Sequence, residues 1–204
     1  MQMKTPPPAA RVVKSEDKME TLRTFILAAL LVPQVDNASG VVTLVARSAE
    51  SPVAKALVSM GTELASRNMT VRAIFCQLEP EKTAAGWSIA GPGIAFARDL
   101  RWAGNPRLAD AHEQMVLGST TCWTGDCMRR DPARRDAYES YVTSDAQTTH
   151  PLRVSFERLW AASTPLIIRT SQVTTVRPAS PADNTSAALV PREDGSGPLI
   201  SSSH

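Results

Sequence analysis

The sequence predicts a single α/β domain built on a mixed sheet, and three stretches carry that prediction. Val41-Val42-Thr43-Leu44-Val45-Ala46 is a continuous apolar, largely β-branched run, as expected of a strand buried on both faces. Val71-Arg72-Ala73-Ile74-Phe75-Cys76 is a second such run. Between them Val53, Leu57, Met60 and Leu64 recur at helical spacing. Strand, crossover helix and strand make a βαβ unit, hence a parallel pair.

The other elements follow in order. Residues 1–17 hold Pro6-Pro7-Pro8 among polar residues and are expected to be disordered. Lys18 to Val32 has helix-forming composition and stops before Pro33. A turn-rich linker through residue 39 leads to the first strand of a domain over residues 40–165. Ser51 and Pro52 supply an N-cap and a first-turn proline to the crossover helix, which stops near Arg67-Asn68.

Residues 79–93, with Gly86, Gly91, Pro92 and Gly93, read as loop, and Phe96–Trp102 as a short strand. Asn105-Pro106 marks a turn, and Gln114–Leu117 is a strand entering Gly118-Ser119. Asp131-Pro132 is expected to cap a helix reaching about Val142. His150-Pro151 is expected to open another, with Leu152, Phe156, Leu159 and Trp160 on one face. Leu166-Ile167-Ile168-Arg169 is a β-rich scrap. Residues 166–204 otherwise form a Ser/Thr/Pro-rich tail expected to be disordered.

Bulk properties narrow the function classes. A domain of about 130–150 residues buries a core without needing disulfides or metal. The chain is 43% hydrophobic and 21% charged, ordinary globular values. A net charge of +2 implies no strongly basic face, so nucleic acid is a possible partner that charge does not support. Cys76, Cys122 and Cys127 are odd in number and suit structural thiols in a reducing cytoplasm. The C-x4-C spacing of the last two lacks a second pair, with only His112 and His150 as further internal ligands. No metal and no cofactor is therefore expected. Phe25–Val32 is too short to span a bilayer. Translation from Met19 would make it mimic a signal peptide, and export is then the alternative localisation.

Three pieces of the chain together resemble one half of the phospholipase D-like superfamily. Arg67-Asn68-Met69-Thr70-Val71-Arg72 and its strand are similar to the family's helix, "RG-V-VR" and strand. The strand into Gly118-Ser119 is similar to the family's strand into G-S-x-N. Phe156-Glu157-Arg158-Leu159-Trp160 is similar to its closing F-x-x-x-W helix. The resemblance implies a histidine nucleophile, a lysine for the phosphate, and a two-fold site made from two H-x-K-x(4)-D-x(6)-G-S motifs. A single half then implies a homodimer. In that chemistry an imidazole attacks phosphorus, its partner protonates the leaving oxygen, and the ammonium stabilises charge on the phosphoryl oxygens.

The motif is broken in two registers. Counting back from Gly118-Ser119 puts Gly104 at the histidine, Pro106 at the lysine and Ala111 at the aspartate. Counting forward from His112 puts Gln114 at the lysine and Ser119 at the aspartate. The asparagine after Gly-Ser falls on Thr121. A deletion in the hairpin rescues His112, but the lysine stays missing.

His112 is the candidate catalytic residue, a general base or phosphate contact, with Glu113 or Asp126 as possible partners. The commoner reading is a hydrogen-bonded histidine at a strand start. Ser119 offers a hydroxyl to an anion, though a tight turn equally explains Gly118-Ser119. Trp123 is a candidate pocket wall, whereas Trp160 is expected in the core. Asp126 in Thr124-Gly125-Asp126 suits a cation but is also ordinary turn chemistry. Arg129, Arg130 and Arg134, with Arg135, are the densest cationic cluster and candidate phosphate ligands. Asp126, Asp131, Asp136 and Glu139 interleave with them, so internal salt bridges compete. The expected function is a catalytically degenerate, homodimeric binding or scaffold module for a phosphate-bearing ligand. The alternatives are an active phosphodiesterase rewired around His112, and a secreted or periplasmic structural protein.

Overall fold

The computed structural model describes residues 10–31, 40–76, 99–130 and 135–166, all within one compact unit. An eight-stranded mixed sheet forms its centre, in the order β1-β7-β6-β5-β2-β3-β4-β8. These strands are β1 (Arg11–Val13), β2 (Val41–Ala46), β3 (Thr70–Phe75), β4 (Leu100–Trp102), β5 (His112–Leu117), β6 (Thr121–Cys127), β7 (Ala137–Val142) and β8 (Thr164–Pro165). Helices α1 (Lys18–Leu31), α2 (Pro52–Ser59) and α3 (Gly61–Ser66) pack on one face, and α4 (Ala146–Ala162) on the other.

The βαβ unit stands as its residues predict. β2 and β3 pair in parallel from Val41↔Thr70 to Ala46↔Phe75, and β4 continues the parallel run from Ala73↔Leu100. Strand alternation sends Val42, Leu44, Val71, Ala73 and Phe75 into the larger core with Leu22, Ile26, Leu57 and Leu64. Val45 and Ile74 face the smaller core with Phe156. The crossover is two helices, because the chain breaks at Met60. Asn68 then turns the chain toward β3 in the left-handed region, at φ 54°. Ser51 holds the N-cap position of α2, yet its side chain does not cap. Its hydroxyl accepts the Ser48 N–H at 3.3 Å and also bonds the Glu113 carboxylate.

Several expectations are corrected. Arg11–Val13, assigned to a disordered terminus, pair with β7 as an edge strand. The helix expected through Val142 is strand β7 over Ala137–Val142. Its alternating Ala137, Glu139 and Tyr141 face the larger core, and the charge of Glu139 disguised that pattern. Thr124-Gly125-Asp126 is not a turn but the middle of β6. α4 begins at Ala146, before His150-Pro151. Asp145 caps it, accepting the Gln147 and Thr148 N–H groups at 2.9 and 3.1 Å, and Pro151 is accommodated inside. Asn105-Pro106 opens a short 3-10 helix over Pro106–Asp110. The strand expected over Phe96–Trp102 is seen for Leu100–Trp102, and Leu166 is not in a strand. The proline-rich start, the linker, the glycine-containing loop at 79–93, Arg134, Ile167 onward and the Ser/Thr/Pro-rich tail lie outside the described residues.

Candidate functional site

His112 opens β5 beside the carboxyl ends of parallel strands β2 and β3, because antiparallel pairing sets Gln114 opposite Val45. In open α/β sheets that end is where ligand crevices form. Alternation along β5 turns His112, Gln114 and Val116 toward the α4 face, and Glu113, Met115 and Leu117 toward the larger core.

The His112 ring is exposed, and its Nδ1–H donates to the Gly125 carbonyl at 2.8 Å. A carbonyl only accepts, so the proton sits on Nδ1 and the neutral ring keeps its lone pair on Nε2. β6 brings Gly125 there, since β5 and β6 pair from His112↔Cys127 to Leu117↔Thr121 with an irregularity between His112 and Gln114. Gly125 has a specific reason to be glycine. A Cβ there would come within 2.5 Å of Cζ2 of the Trp123 indole, which lies flat across the position.

Glu113 is not a partner for His112. It faces the opposite side of the strand, is buried, and accepts the Arg47 N–H at 2.9 Å. Burial holds its pKa above the ordinary 4.5. The Ser51 hydroxyl, the Arg47 N–H and Lys18 offset this in part, while the charge of Glu139 adds to it. Asp126 turns one carboxylate oxygen to the Cys127 N–H at 2.8 Å and the other to Arg130 at 3.7 Å.

Arg129 pairs with Asp110 at 2.6 Å. Both arginines stand at the His112 end of the sheet with side chains 70% and 64% exposed. Exposed ion pairs contribute little, so neither guanidinium is held tightly by its carboxylate.

The remaining candidates go elsewhere. Trp123 is 2% exposed and faces the larger core, so it walls no pocket. Its indole Nε1–H donates to Glu139 Oε2 at 3.0 Å. Glu139 also accepts from the Tyr141 hydroxyl at 2.5 Å and meets Lys18 Nζ at 3.7 Å. This buried network ties Trp123 on β6 to Glu139 and Tyr141 on β7 and to Lys18 on α1. The sequence signals it only through the alternation of Ala137–Val142, which hides a carboxylate among aromatics. Ser119 lies in the β5–β6 hairpin turn, where Gly118 supplies φ 68°. The six residues of β5, at about 3.3 Å each, set it on the order of 20 Å from His112. The expected grouping of His112, Ser119 and the arginines is therefore split between opposite ends of the sheet. Trp160, expected in the core, is half-buried. It stacks on Phe156 at 5.5 Å, under the Arg72 and Arg101 guanidiniums at 4.2 and 4.6 Å.

Among the described residues no three His, Cys, Asp or Glu side chains are grouped to hold a metal ion. None of the described helices is long and apolar enough to cross a membrane.

No protein-family model and no curated protein matches the chain. Solved structures do. Nuc from Salmonella typhimurium, a phospholipase D family member, superposes at a TM-score of 0.51 and 15% identity, covering 76% of this chain and 96% of Nuc. NucT from Helicobacter pylori superposes at 0.51 and 12% identity with the same coverages. These likenesses show a phospholipase D-like fold, on a mixed α/β sheet as described above.

Proposed function

On this phospholipase D-like fold, we propose a catalytically degenerate domain that binds a phosphate-bearing ligand as a homodimer. The observation that carries the proposal is the pair His112 and Gln114 on one face of β5. The family resemblance asks for a lysine two residues after the histidine. Gln114 offers an amide there, a donor without the charge that offsets a pentacoordinate phosphorane. The pairing of β5 with β6 also favours the shortened register. Gly125-Asp126 lies in the irregular stretch between the His112↔Cys127 and Gln114↔Thr124 pairs, one residue short of the family's Gly-Ser, and in that register an aspartate takes the place of the serine. His112, Arg129 and Arg130 remain as ligands for an oxyanion.

The test is a titration of ¹⁵N-labelled protein with a dinucleotide. Amide shifts at His112, Gly125, Arg129 and Arg130 are expected to move together and saturate. Shifts scattered elsewhere, or none, refute the binding role. Sedimentation is expected at twice the 22.0 kDa chain mass. A monomer at tens of micromolar removes the dimer.

One observation favours a second reading, an active hydrolase. The Nδ1–H bond to Gly125 leaves Nε2 of His112 as a free nucleophile or base. Its partners would then come from Asp126 or from a second copy of the chain.

A further inference from the structure

We propose a second oxyanion site, at the hairpin-turn end of the sheet and remote from His112. It is a pocket of about 140 Å³ whose polar walls are Thr43 on β2, Arg72 on β3, Gly118 after β5, and Arg153 and Glu157 on α4. Its ligand is a single phosphate group.

The charges in this pocket do not balance. Arg72 grips Glu157 in a two-bond fork, at 2.5 Å from Nη1 and 3.1 Å from Nη2. Those two cancel. Arg153, one turn earlier on α4, is half-buried and has no ion pair or hydrogen bond among the described residues. The Thr43 hydroxyl, also half-buried, likewise has none. A partly desolvated guanidinium without a counter-charge favours an anion, and a hydroxyl beside it supplies a further donor.

Size and mobility select the ligand. At about 30 Å³ per water, the pocket has room for roughly four or five waters, which suits one tetrahedral oxyanion. The Arg72 plane is held by Trp160 at 4.2 Å and Phe156 at 5.2 Å, whereas the Glu157 side chain is 57% exposed. Glu157 therefore swings to solvent when an anion arrives. Arg72 and Arg153 then close on the phosphate together, the forked recognition to which guanidinium is suited.

The experiment is a titration of the ¹⁵N-labelled full chain with inorganic phosphate, against potassium chloride at matched ionic strength. Saturable shifts at Thr43, Val116, Gly118 and Arg153 are expected with phosphate alone. Arg153→Gln is expected to weaken binding about tenfold or more, the scale of one charge-assisted bond. Glu157→Gln is expected to tighten it, because the competing carboxylate is gone; a purely structural role for the Arg72–Glu157 pair gives no such gain. A parallel titration with phosphoserine separates the sources. Tighter binding assigns the pocket to the terminal phosphate of a larger ligand, and equal binding to free phosphate. Shifts identical to the chloride control overturn the proposal, as does unchanged affinity in a folded Arg153→Gln protein or weakening in Glu157→Gln.

Discussion

His112 and Glu113 are neighbours in sequence and strangers in space. One peptide along a strand reverses the side chain, so the imidazole meets solvent while the carboxylate enters the core. The buried carboxylate has a measurable consequence. Its folded pKa lies above the ordinary 4.5, so the folded protein holds more protons than the unfolded chain. Stability therefore falls as pH rises from 4.5 toward the folded value. Glu113→Gln keeps an oxygen for the Arg47 N–H and removes the titration. Thermal melts are expected to show the variant gaining on the native protein as pH rises through that window. A constant difference contradicts the burial assignment.

Gly125 carries a second expectation at this scale. Gly125→Ala drives a methyl into the buried Trp123 ring and is expected to cost about 1–3 kcal/mol in chemical unfolding. His112 was legible as a candidate because a lone imidazole at a strand start is conspicuous. Gly125 was not, because its reason is a tryptophan on its own strand face, and nothing local marks that ring as lying flat. Trp123 was misplaced for the same cause. Its inward direction depends on the register of β6, which no local signal sets.

Among the elements, those with local causes were legible. The β-branched runs of β2 and β3 and the apolar stripe between them needed no distant partner to be recognised. β7 did. Ala137–Val142 holds a glutamate and follows a dense charge cluster, so its local preference is ambiguous. It becomes a strand because β1 and β6 bond to its two sides. α4 was recognised by its apolar face but begun too late, since Pro151 drew the start away from the Asp145 cap.

The end of α4 is fastened to the sheet by Arg101. Its guanidinium donates to the Trp160 and Ser163 carbonyls at 2.8 and 3.0 Å while stacking on the Trp160 ring. Arg101→Ala leaves two helix-terminal carbonyls without this donor and is expected to cost about 1–3 kcal/mol. Hydrogen exchange is expected to rise first at residues 157–163. Unchanged protection there shows that the clamp is not what holds the helix.

For the whole molecule, topology decides where chemistry is possible. β2, β3 and β4 run parallel, so their carboxyl ends open on one side, and His112, Arg129 and Arg130 gather there. The fold family was legible from three motifs in the right order. The separation of His112 from Gly118-Ser119 was not, because Gly118-Ser119 marks a hairpin turn and the glycine that meets His112 is Gly125. That shift turns the missing lysine into the central issue. The proposed degenerate site rests on that pairing, with His112 exposed and the uncharged Gln114 where the family resemblance asks for a lysine.

Turnover of bis(p-nitrophenyl) phosphate, for the native protein beside His112→Ala, tests this most directly. Equal release at the background rate is expected from both. Release by the native protein that disappears in a folded His112→Ala variant contradicts a degenerate site and makes His112 the nucleophile.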